Sequence, residues 1–196
     1  MTRLYCATGN PGKLREFRMA ASHAPVEIEL LPGFGDFPAC IEDGATFEEN
    51  AILKVRHYGR HIPGLLFADD SGLEVDALDG APGIRSARFS GPNATDENNN
   101  RLLLERLQNV EHRAARFVCV VALAYDGMVR SVYRGTVEGR IATEPRGERG
   151  FGYDPLFYYP PFGRTFGEAV DEEKFSVSHR GRALLAMLRD LTVWRA

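Results

Sequence analysis

The feature that most constrains the fold of this chain is Asp126-Gly127, which joins two apolar segments. An Asp-Gly pair between runs of apolar residues is typical of a two-residue hairpin turn, in which both central residues adopt positive φ. Residues 116–125 and 128–136 are therefore predicted to pair as antiparallel strands. Upstream of this hairpin, predicted strands alternate with predicted helices. The combination predicts an α/β fold with a mixed sheet, whose strand-end loops meet in a cleft.

The other elements are predicted from apolar spacing and capping residues. Pro11 suits the first turn of a helix, and Thr46 with Glu49 matches a capping box. Thr95 is expected to cap a later helix, whose inner face would carry Leu102, Leu103 and Leu107. Residues 147–154 are glycine-rich and are expected to be irregular. Predicted strands cover residues 4–8, 26–31 and 65–68, and predicted helices follow Asn10, begin at Thr46, and cover residues 93–108 and 178–191.

Composition and charge limit the class of protein. The 196 residues suit one domain, residues 1–196, or two lobes that share one core. A hydrophobic content of 44% is ordinary for a globular protein. A net charge of -3 argues against a generally basic surface, so no nucleic-acid partner is expected. The polar first residues and the absence of an apolar run of about 18 residues predict no signal peptide and no membrane partner. Cys6 and Cys119 lie in apolar runs, which favours buried free thiols and a cytoplasmic location.

The first candidate site is a loop between a predicted strand and a predicted helix. Its glycines let backbone N–H groups approach a phosphate, while the helix N-terminus and a lysine add positive charge. It is not a Walker A loop, because the GxxxxGK[ST] spacing is absent. An ordinary strand–helix turn explains these residues equally well when they are read alone. The loop consists of Thr8, Gly9, Asn10, Pro11, Gly12 and Lys13.

Two adjacent carboxylates, Asp69 and Asp70, directly follow a predicted apolar strand. Such charges repel each other, and a hard divalent cation would stabilise them. The alternative is a turn that Asp69 caps and in which Asp70 is solvated. The acidic stretch of Glu42-Asp43 with Glu48-Glu49-Asn50 is of a kind that usually forms a solvated face. Either Glu42 or Asp43 could still complete a metal site with Asp70. Lys54, read alone, is a surface lysine.

Two later segments carry side chains that suit a nucleotide. Phe151 and Tyr153 stand between glycines, and an aromatic face can stack on a base. Lys174, His179 and Arg180 surround the predicted start of the last helix, where they could bind an anion or a purine edge. A tight turn and a capped surface helix are the alternatives for these two segments. The sequence has no nucleophile motif of serine or cysteine and no zinc-ligand spacing.

Together and in this order, the five segments resemble the inosine triphosphate pyrophosphatase family in its bacterial dITP/XTP pyrophosphatase form. Each motif is weak alone, but five in order at fitting intervals are highly specific. They extend from the first strand to the last helix. The matching segments are ATGNPGKLREF, EDGATFEENAILKVRH, ADDSGLEVDALDGAPGIRSARFSG, GFGYDPLF and EEKFSVSHRGRAL.

The resemblance implies an elongated α/β subunit with two lobes around a central substrate cleft, usually paired as a homodimer. Residues 158–162, expected as an exposed apolar loop, support the dimer. It implies Mg²⁺-dependent hydrolysis of ITP, dITP and XTP to the monophosphate and pyrophosphate, which keeps these bases out of DNA and RNA. Glu42 and Asp70 would bind the metal, and Asp70 would also be the general base. Asp43 remains an alternative to Glu42, which its distance to Lys54 favours. The residues that would bind the substrate are Thr8, Gly9, Asn10, Pro11, Gly12, Lys13, Lys54, Ser71, Phe151, Gly152, Tyr153, Asp154, Lys174, His179 and Arg180.

The family commonly has asparagine where this chain has Phe175, so no polar role is carried over to that position.

A donor directed at the 6-oxo group of hypoxanthine would meet another donor in adenine, and His179 and Arg180 are the candidates for it. The alternative functions are a nucleotide-binding regulatory module without turnover and a pyrophosphatase for modified pyrimidine triphosphates. The paired aspartates argue against the first, because binding alone does not need a base beside a metal.

Overall fold

The computed structural model describes residues 2–193, which form a mixed sheet with flanking helices. The strands are β1 (Thr2–Cys6), β2 (Val26–Leu30), β3 (Leu65–Val75), β4 (Ala114–Tyr125), β5 (Met128–Ile141), β6 (Phe157–Tyr159) and β7 (Arg164–Thr165). The helices are α1 (Pro11–Ala20), α2 (Phe47–Gly59), α3 (Asp96–Arg106), α4 (Asp171–Val177) and α5 (His179–Val193).

The strand order in the sheet is β2-β1-β3-β4-β5-β6-β7. β1 is parallel to both β2 and β3, with Tyr5 opposite Leu66. In contrast, β6 is antiparallel to β5 and to β7. This mixture confirms the predicted α/β fold with a mixed sheet. Within residues 2–193, no helix is both long enough and apolar enough to cross a bilayer.

The chain divides into two compact units. Unit 1 comprises the described residues up to Asp70, together with Cys119–Gly135 and those from His179 onward. Unit 2 comprises Ser71–Val118 and Thr136–Ser178. The strands β3, β4 and β5 each contribute residues to both units. One domain over residues 1–196 stays a prediction, and its extreme ends lie outside the described residues.

Unit 1 has its own hydrophobic core. Leu4 and Cys6 of β1 are buried, as the alternation of a strand that is covered on one face requires. Phe17 of α1 packs edge-on against Phe67 of β3, with ring centroids 5.0 Å apart. Burial of each such side chain contributes about 1.5–3 kcal/mol to stability. Cys119 of β4 joins this core, and the predicted buried free thiols are confirmed for Cys6 and Cys119.

The core of unit 2 is built around aromatic rings. Phe117 of β4 and Phe157 of β6 lie 4.5 Å apart between ring centroids, and Phe166 lies 5.0 Å from Phe157. Leu103 and Leu107, one helical turn apart, are both buried against this cluster. The helix predicted after Thr95 is confirmed, although α3 covers fewer residues than expected. Its predicted inner face is confirmed for Leu103 and Leu107 but not for Leu102, because Leu104 packs against the cluster instead.

The predicted turn and helix starts depend on local chemistry, and most are confirmed. Asp126 and Gly127 have φ values of 48° and 74°, as a two-residue hairpin between β4 and β5 requires. Thr46 caps α2 by accepting a hydrogen bond from the Glu49 N–H at 3.1 Å. The other half of the predicted capping box is wrong. The Glu49 carboxylate accepts from Ala45, one residue before the cap, at 2.6 Å.

Two predictions of local structure are corrected, and one helix was not predicted. The strand expected at residues 65–68 continues to Val75, so Asp69 and Asp70 lie within β3 rather than after it. Residues 171–177 form α4, which is too short to show a helical apolar period, but its acidic first turn suits a helix N-terminus. Residues 158–162, expected as an exposed apolar loop, form the end of β6 and a short 3-10 helix. In this segment, the Tyr159 and Phe162 rings pack 4.8 Å apart.

Gly135 of β5 allows the backbone at the start of α5 to approach closely. A Cβ at this position would lie 2.1 Å from the carbonyl oxygen of His179 and 2.5 Å from the backbone nitrogen of Ala183. Because backbone atoms cannot rotate away, we expect Gly135→Ala to lower the free energy of unfolding by about 1–3 kcal/mol. Urea unfolding measures this. Gly35→Ala is the control, since a Cβ there meets no atom within 4 Å. Equal midpoints for the two variants would contradict the close approach.

Candidate functional site

The predicted phosphate loop leads from β1 into α1 and is fixed by its own side chains. Asn10 caps α1 by accepting a hydrogen bond from the Lys13 N–H at 3.1 Å. The Thr8 hydroxyl accepts from the Asn10 N–H at 3.2 Å. Pro11 is the first helical residue, as predicted. Gly9, Asn10 and Pro11 are exposed, so a ligand can reach the helix N-terminus, whose partial positive charge favours an anion.

Lys13 extends from this loop to Asp69 of β3. Its Nζ lies 2.9 Å from Oδ2 of Asp69, whose side chain is almost completely buried. Burial by itself would raise the pKa of Asp69, but the charges of Lys13, Arg180 and Lys54 outweigh it and lower the pKa to about 2. Asp69 is therefore ionised at neutral pH, and its charge holds Lys13 in place. It does not cap a turn, which was one of the roles left open for it.

Lys54 of α2 lies between two carboxylates. Its Nζ is 2.9 Å from Oε2 of Glu42 and 3.1 Å from Oδ1 of Asp70. Burial by itself would lower the pKa of Lys54, but the nearby carboxylates raise it, so the ammonium is charged. The structure thus brings together Glu42, Lys54 and Asp70. Asp43 is exposed, and this placement favours Glu42 as the second carboxylate.

Burial raises the pKa of Asp70, and the charge of Lys54 and the hydrogen bond from Asn50 only partly offset it. The neighbouring Asp69 is shifted in the opposite direction. Two carboxylates whose environments move their pKa values apart are suited to different roles. Asp69 is suited to a fixed charge, whereas Asp70 is the more basic of the two.

The donor set of this cluster suits a divalent cation that keeps most of its ligands from water and substrate. In the described part of the chain, no group of three or more His, Cys, Asp and Glu side chains is arranged to hold a metal. Two carboxylates do converge, because the ammonium of Lys54 contacts both Glu42 and Asp70. Magnesium is bound through one or two carboxylates, with waters and substrate phosphates as further ligands. Glu42 and Asp70 therefore fit this ion in number and in chemistry.

His179 and Arg180 begin α5, and both are buried in unit 1. The Arg180 guanidinium donates to the Glu16 carboxylate of α1 at 2.5 Å. Burial by itself would lower the pKa of Arg180, but Glu16 and Asp69 raise it above its ordinary range. Glu16 was missed as a charge partner in the sequence. The available signal was its position three residues after Lys13, which places both side chains on one face of α1.

Unit 2 contains a second cluster of predicted site residues. The Lys174 ammonium lies 2.5 Å from Oδ2 of Asp154, and both side chains are buried. The same carboxylate accepts from the Phe151 N–H at 2.9 Å, and Lys174 lies 5.2 Å from the centroid of the Phe151 ring. Tyr153 is buried in the core, and its hydroxyl donates to the Ser86 carbonyl at 2.8 Å. This arrangement favours Phe151, which is half-buried, over Tyr153 as a ring that could stack on a base.

Gly152 is held by two polar residues of α3 that were missed in the sequence. Its N–H donates to Asp96 at 2.7 Å, and its carbonyl accepts from Asn100 at 2.9 Å. Gly150 has φ of 77°, and a Cβ there would overlap the Asp154 carboxylate. The positive φ and the close packing therefore explain a glycine at position 150 without any contact to a ligand. Ser71 lies in β3 and is half-buried.

A family model and named relatives match this chain over most of its length. The Ham1 family model matches residues 4–190. A dITP/XTP pyrophosphatase of Syntrophobacter fumaroxidans is 54% identical, with 95% of this chain and 81% of that protein covered. A dITP/XTP pyrophosphatase of Geobacter sulfurreducens is 51% identical, with 100% of this chain and 98% of that protein covered.

Solved structures agree with the sequence relatives. A HAM1 protein from Coxiella burnetii has a TM-score of 0.87 at 40% identity, and 98% of this chain and 99% of that chain are covered. The Ham1 protein of Staphylococcus aureus has a TM-score of 0.86 at 39% identity, with 97% and 98% covered. The family resemblance predicted from the five sequence segments is thereby confirmed, and this chain belongs to the Ham1 family.

Proposed function

We propose that this chain is a nucleoside triphosphate pyrophosphatase that hydrolyses non-standard purine nucleotides such as ITP, dITP and XTP to the monophosphate and pyrophosphate. Relatives with about half of their residues identical carry the name dITP/XTP pyrophosphatase. Removal of these nucleotides would keep their bases out of DNA and RNA.

One observation in unit 1 carries the proposal. Glu42 and Asp70 meet at Lys54, while the adjacent Asp69 holds Lys13 at the end of an exposed loop. A triphosphate carries several negative charges, which lysines and a metal ion must offset. A carboxylate beside such charges can also accept a proton, which binding alone does not require.

In the proposed reaction, Asp70 is the general base. Its carboxylate takes a proton from a water molecule whose oxygen attacks the α-phosphorus. As the new phosphorus–oxygen bond forms, the bond from the α-phosphorus to the bridging oxygen breaks, and pyrophosphate leaves. Burial raises the pKa of Asp70, which makes this carboxylate a stronger base than an exposed aspartate. Lys54 donates to one of its oxygens and so helps to orient it.

Glu42 and Asp70 are the residues proposed to hold Mg²⁺. When bound, the ion would offset charge on the phosphate oxygens and on the departing pyrophosphate. Lys13 and Lys54 would supply further positive charge. In the loop from Thr8 to Lys13, the backbone N–H groups of Gly9 and Gly12 would donate to phosphate oxygens.

Further residues are proposed to bind the nucleotide, as the motif resemblance implies. Phe151 would stack on the base, because its ring is half-buried rather than enclosed. Asp154 and Lys174 would act together, since they form one buried ion pair. The remaining proposed contacts are Ser71, Gly152, Tyr153, His179 and Arg180.

Selection between inosine and adenine nucleotides is proposed to depend on a donor near position 6 of the base. Arg180 can only donate, but its guanidinium already donates to Glu16. Removal of Arg180 would leave the buried Glu16 carboxylate without this partner and would destabilise the fold. The stability of an Arg180 variant must therefore be measured together with its selectivity between ITP and ATP. His179 or a backbone N–H is the other proposed donor.

We further propose a homodimer and a cytoplasmic location. The dimer follows from the family resemblance, and closed two-fold dimers are the commonest oligomers of this kind. The location is supported by the buried free thiols of Cys6 and Cys119, which fit a reducing compartment.

A panel of triphosphates tests the function. With Mg²⁺, we expect pyrophosphate release from ITP, dITP and XTP at a kcat/KM at least roughly 100-fold above that for ATP. Chelation of the metal should stop release, because charge on the departing pyrophosphate is then not offset. Binding of ITP without any release would identify a regulatory module instead. Preferred release from modified pyrimidine triphosphates would identify the other alternative.

A further inference from the structure

Asn50 connects the two segments that carry the proposed metal carboxylates. It lies one turn before Lys54 on α2, and the residue is only 1% exposed. Its Oδ1 accepts a hydrogen bond from the Gly44 N–H at 2.9 Å. Its Nδ2 donates to Oδ2 of Asp70 at 3.1 Å. A single buried amide therefore ties the loop that follows Glu42 to the strand that carries Asp70.

The orientation of this amide follows from the chemistry of its partners. The Gly44 N–H can only donate, so the amide oxygen of Asn50 must face it and the NH₂ group must face Asp70. Lys54 donates to the other oxygen of Asp70 at 3.1 Å. The Asp70 carboxylate is thus held at both of its oxygens by two side chains on one face of α2.

The loop after Glu42 is packed tightly onto the first turn of α2. A Cβ at Gly44 would lie 2.7 Å from Cβ of Glu49 and 2.8 Å from Oδ1 of Asn50. The Glu49 carboxylate also accepts from the Ala45 N–H at 2.6 Å. Because the loop is fixed to this turn, the same turn determines where Glu42 can meet Asp70.

We propose that Asn50 is a positioning residue for the pyrophosphatase reaction. It sets the orientation of Asp70 and the approach of the Glu42 loop, and it acts through these groups rather than on the substrate. The inference rests on the proposed function. Replacement of Asn50 should change turnover and the magnesium requirement by more than the accompanying loss of stability explains.

Two variants distinguish the hydrogen bond that Asn50 donates to Asp70 from the one that it accepts from Gly44. Asn50→Asp keeps an oxygen for the Gly44 N–H but places a second carboxylate against Asp70, whereas Asn50→Ala removes both bonds. Partners that orient a metal ligand typically change activity or metal affinity by about 10–100-fold when replaced. We expect kcat for ITP to fall by that factor in both variants, and the Mg²⁺ concentration for half-maximal rate to rise in Asn50→Ala. KM should change by less than about threefold, since contacts to the substrate remain.

Asn99 supplies the matched control in unit 2. It is also a buried asparagine near a helix start, and its Nδ2 donates to the carbonyls of Ser86 and Ala87 at 3.3 and 3.4 Å. Asn99→Asp should lower the melting temperature but leave kcat and the Mg²⁺ requirement within about twofold of wild type.

The outcomes are distinguishable. Folded Asn50 variants with wild-type kcat and Mg²⁺ requirement would overturn the positioning role. So would a loss of rate that merely follows the loss of melting temperature, as in the Asn99 control, or a failure of both Asn50 variants to fold. If wild type itself released no pyrophosphate from ITP, the proposed function would fail first, before any variant is compared.

Discussion

Asp70→Asn should remove most pyrophosphate release from ITP while the chain stays folded. The substitution keeps the shape of the side chain but removes the charge and the basicity. Loss of a general base costs about 100-fold or more, and the proposed loss of a metal ligand adds to this. In the wild type, both oxygens of Asp70 accept hydrogen bonds, one from Asn50 and one from Lys54. The NH₂ group of an asparagine would face one of these donors, so the free energy of unfolding should fall by about 1 kcal/mol. Lys54 keeps Glu42 as a partner in this variant.

Steady-state release of pyrophosphate, with urea unfolding of the same samples, measures both effects. Asp43→Asn is the matched control, because Asp43 is exposed and lies next to Glu42. Its activity should stay within about twofold of wild type, as for most surface substitutions. Near-normal turnover in folded Asp70→Asn would remove Asp70 from the reaction. A large loss in Asp43→Asn would move the proposed metal carboxylate from Glu42 to Asp43.

Local structure could be predicted where a few neighbouring residues determine it. Pro11 starts α1 because its ring fixes φ and its missing N–H is not needed there. Thr46 and Thr95 cap their helices through their own hydroxyls. Asp126-Gly127 adopts the positive φ values that its hairpin requires. In each case, the stabilising contact lies within three residues along the chain.

The partners of the buried charges could not be predicted in this way. Lys13 and Asp69 are 56 positions apart, and Glu16 and Arg180 are 164 apart. Two adjacent aspartates read as the end of a strand, because a charge inside a strand is costly unless it is paired. The distant lysine removes that cost, and β3 therefore continues through both residues.

The role of Asn50 depends on the same kind of tertiary contact. In the sequence, it stands beside Glu48 and Glu49, and this acidic stretch reads as a solvated face. In the structure it is buried, and its amide meets Gly44 on one side and Asp70 on the other. The spacing of four residues from Lys54 was the available signal, since it places both side chains on one face of α2.

Asp69→Asn should have the largest effect on stability among these substitutions. The Asp69 carboxylate is buried, and it accepts the ammonium of Lys13, which is mostly buried too. Removal of one partner from a buried ion pair costs about 3 kcal/mol or more, because the other charge is left without compensation. Asp43→Asn makes the same chemical change at an exposed position and should cost less than about 0.5 kcal/mol. Urea unfolding at neutral pH compares the two variants.

The dependence of this effect on pH has a defined sign. Burial by itself raises the pKa of Asp69, but Lys13, Arg180 and Lys54 lower it from 3.8 to about 2. The stabilisation by this carboxylate is therefore complete above the unfolded pKa and is lost as pH falls through the folded pKa. The difference in unfolding free energy between wild type and Asp69→Asn should be the same at about pH 7 and about pH 5, and should shrink below about pH 4. If Asp69→Asn were as stable as wild type at neutral pH, Lys13 would not depend on Asp69. The different roles inferred for the two adjacent aspartates would then lose their basis.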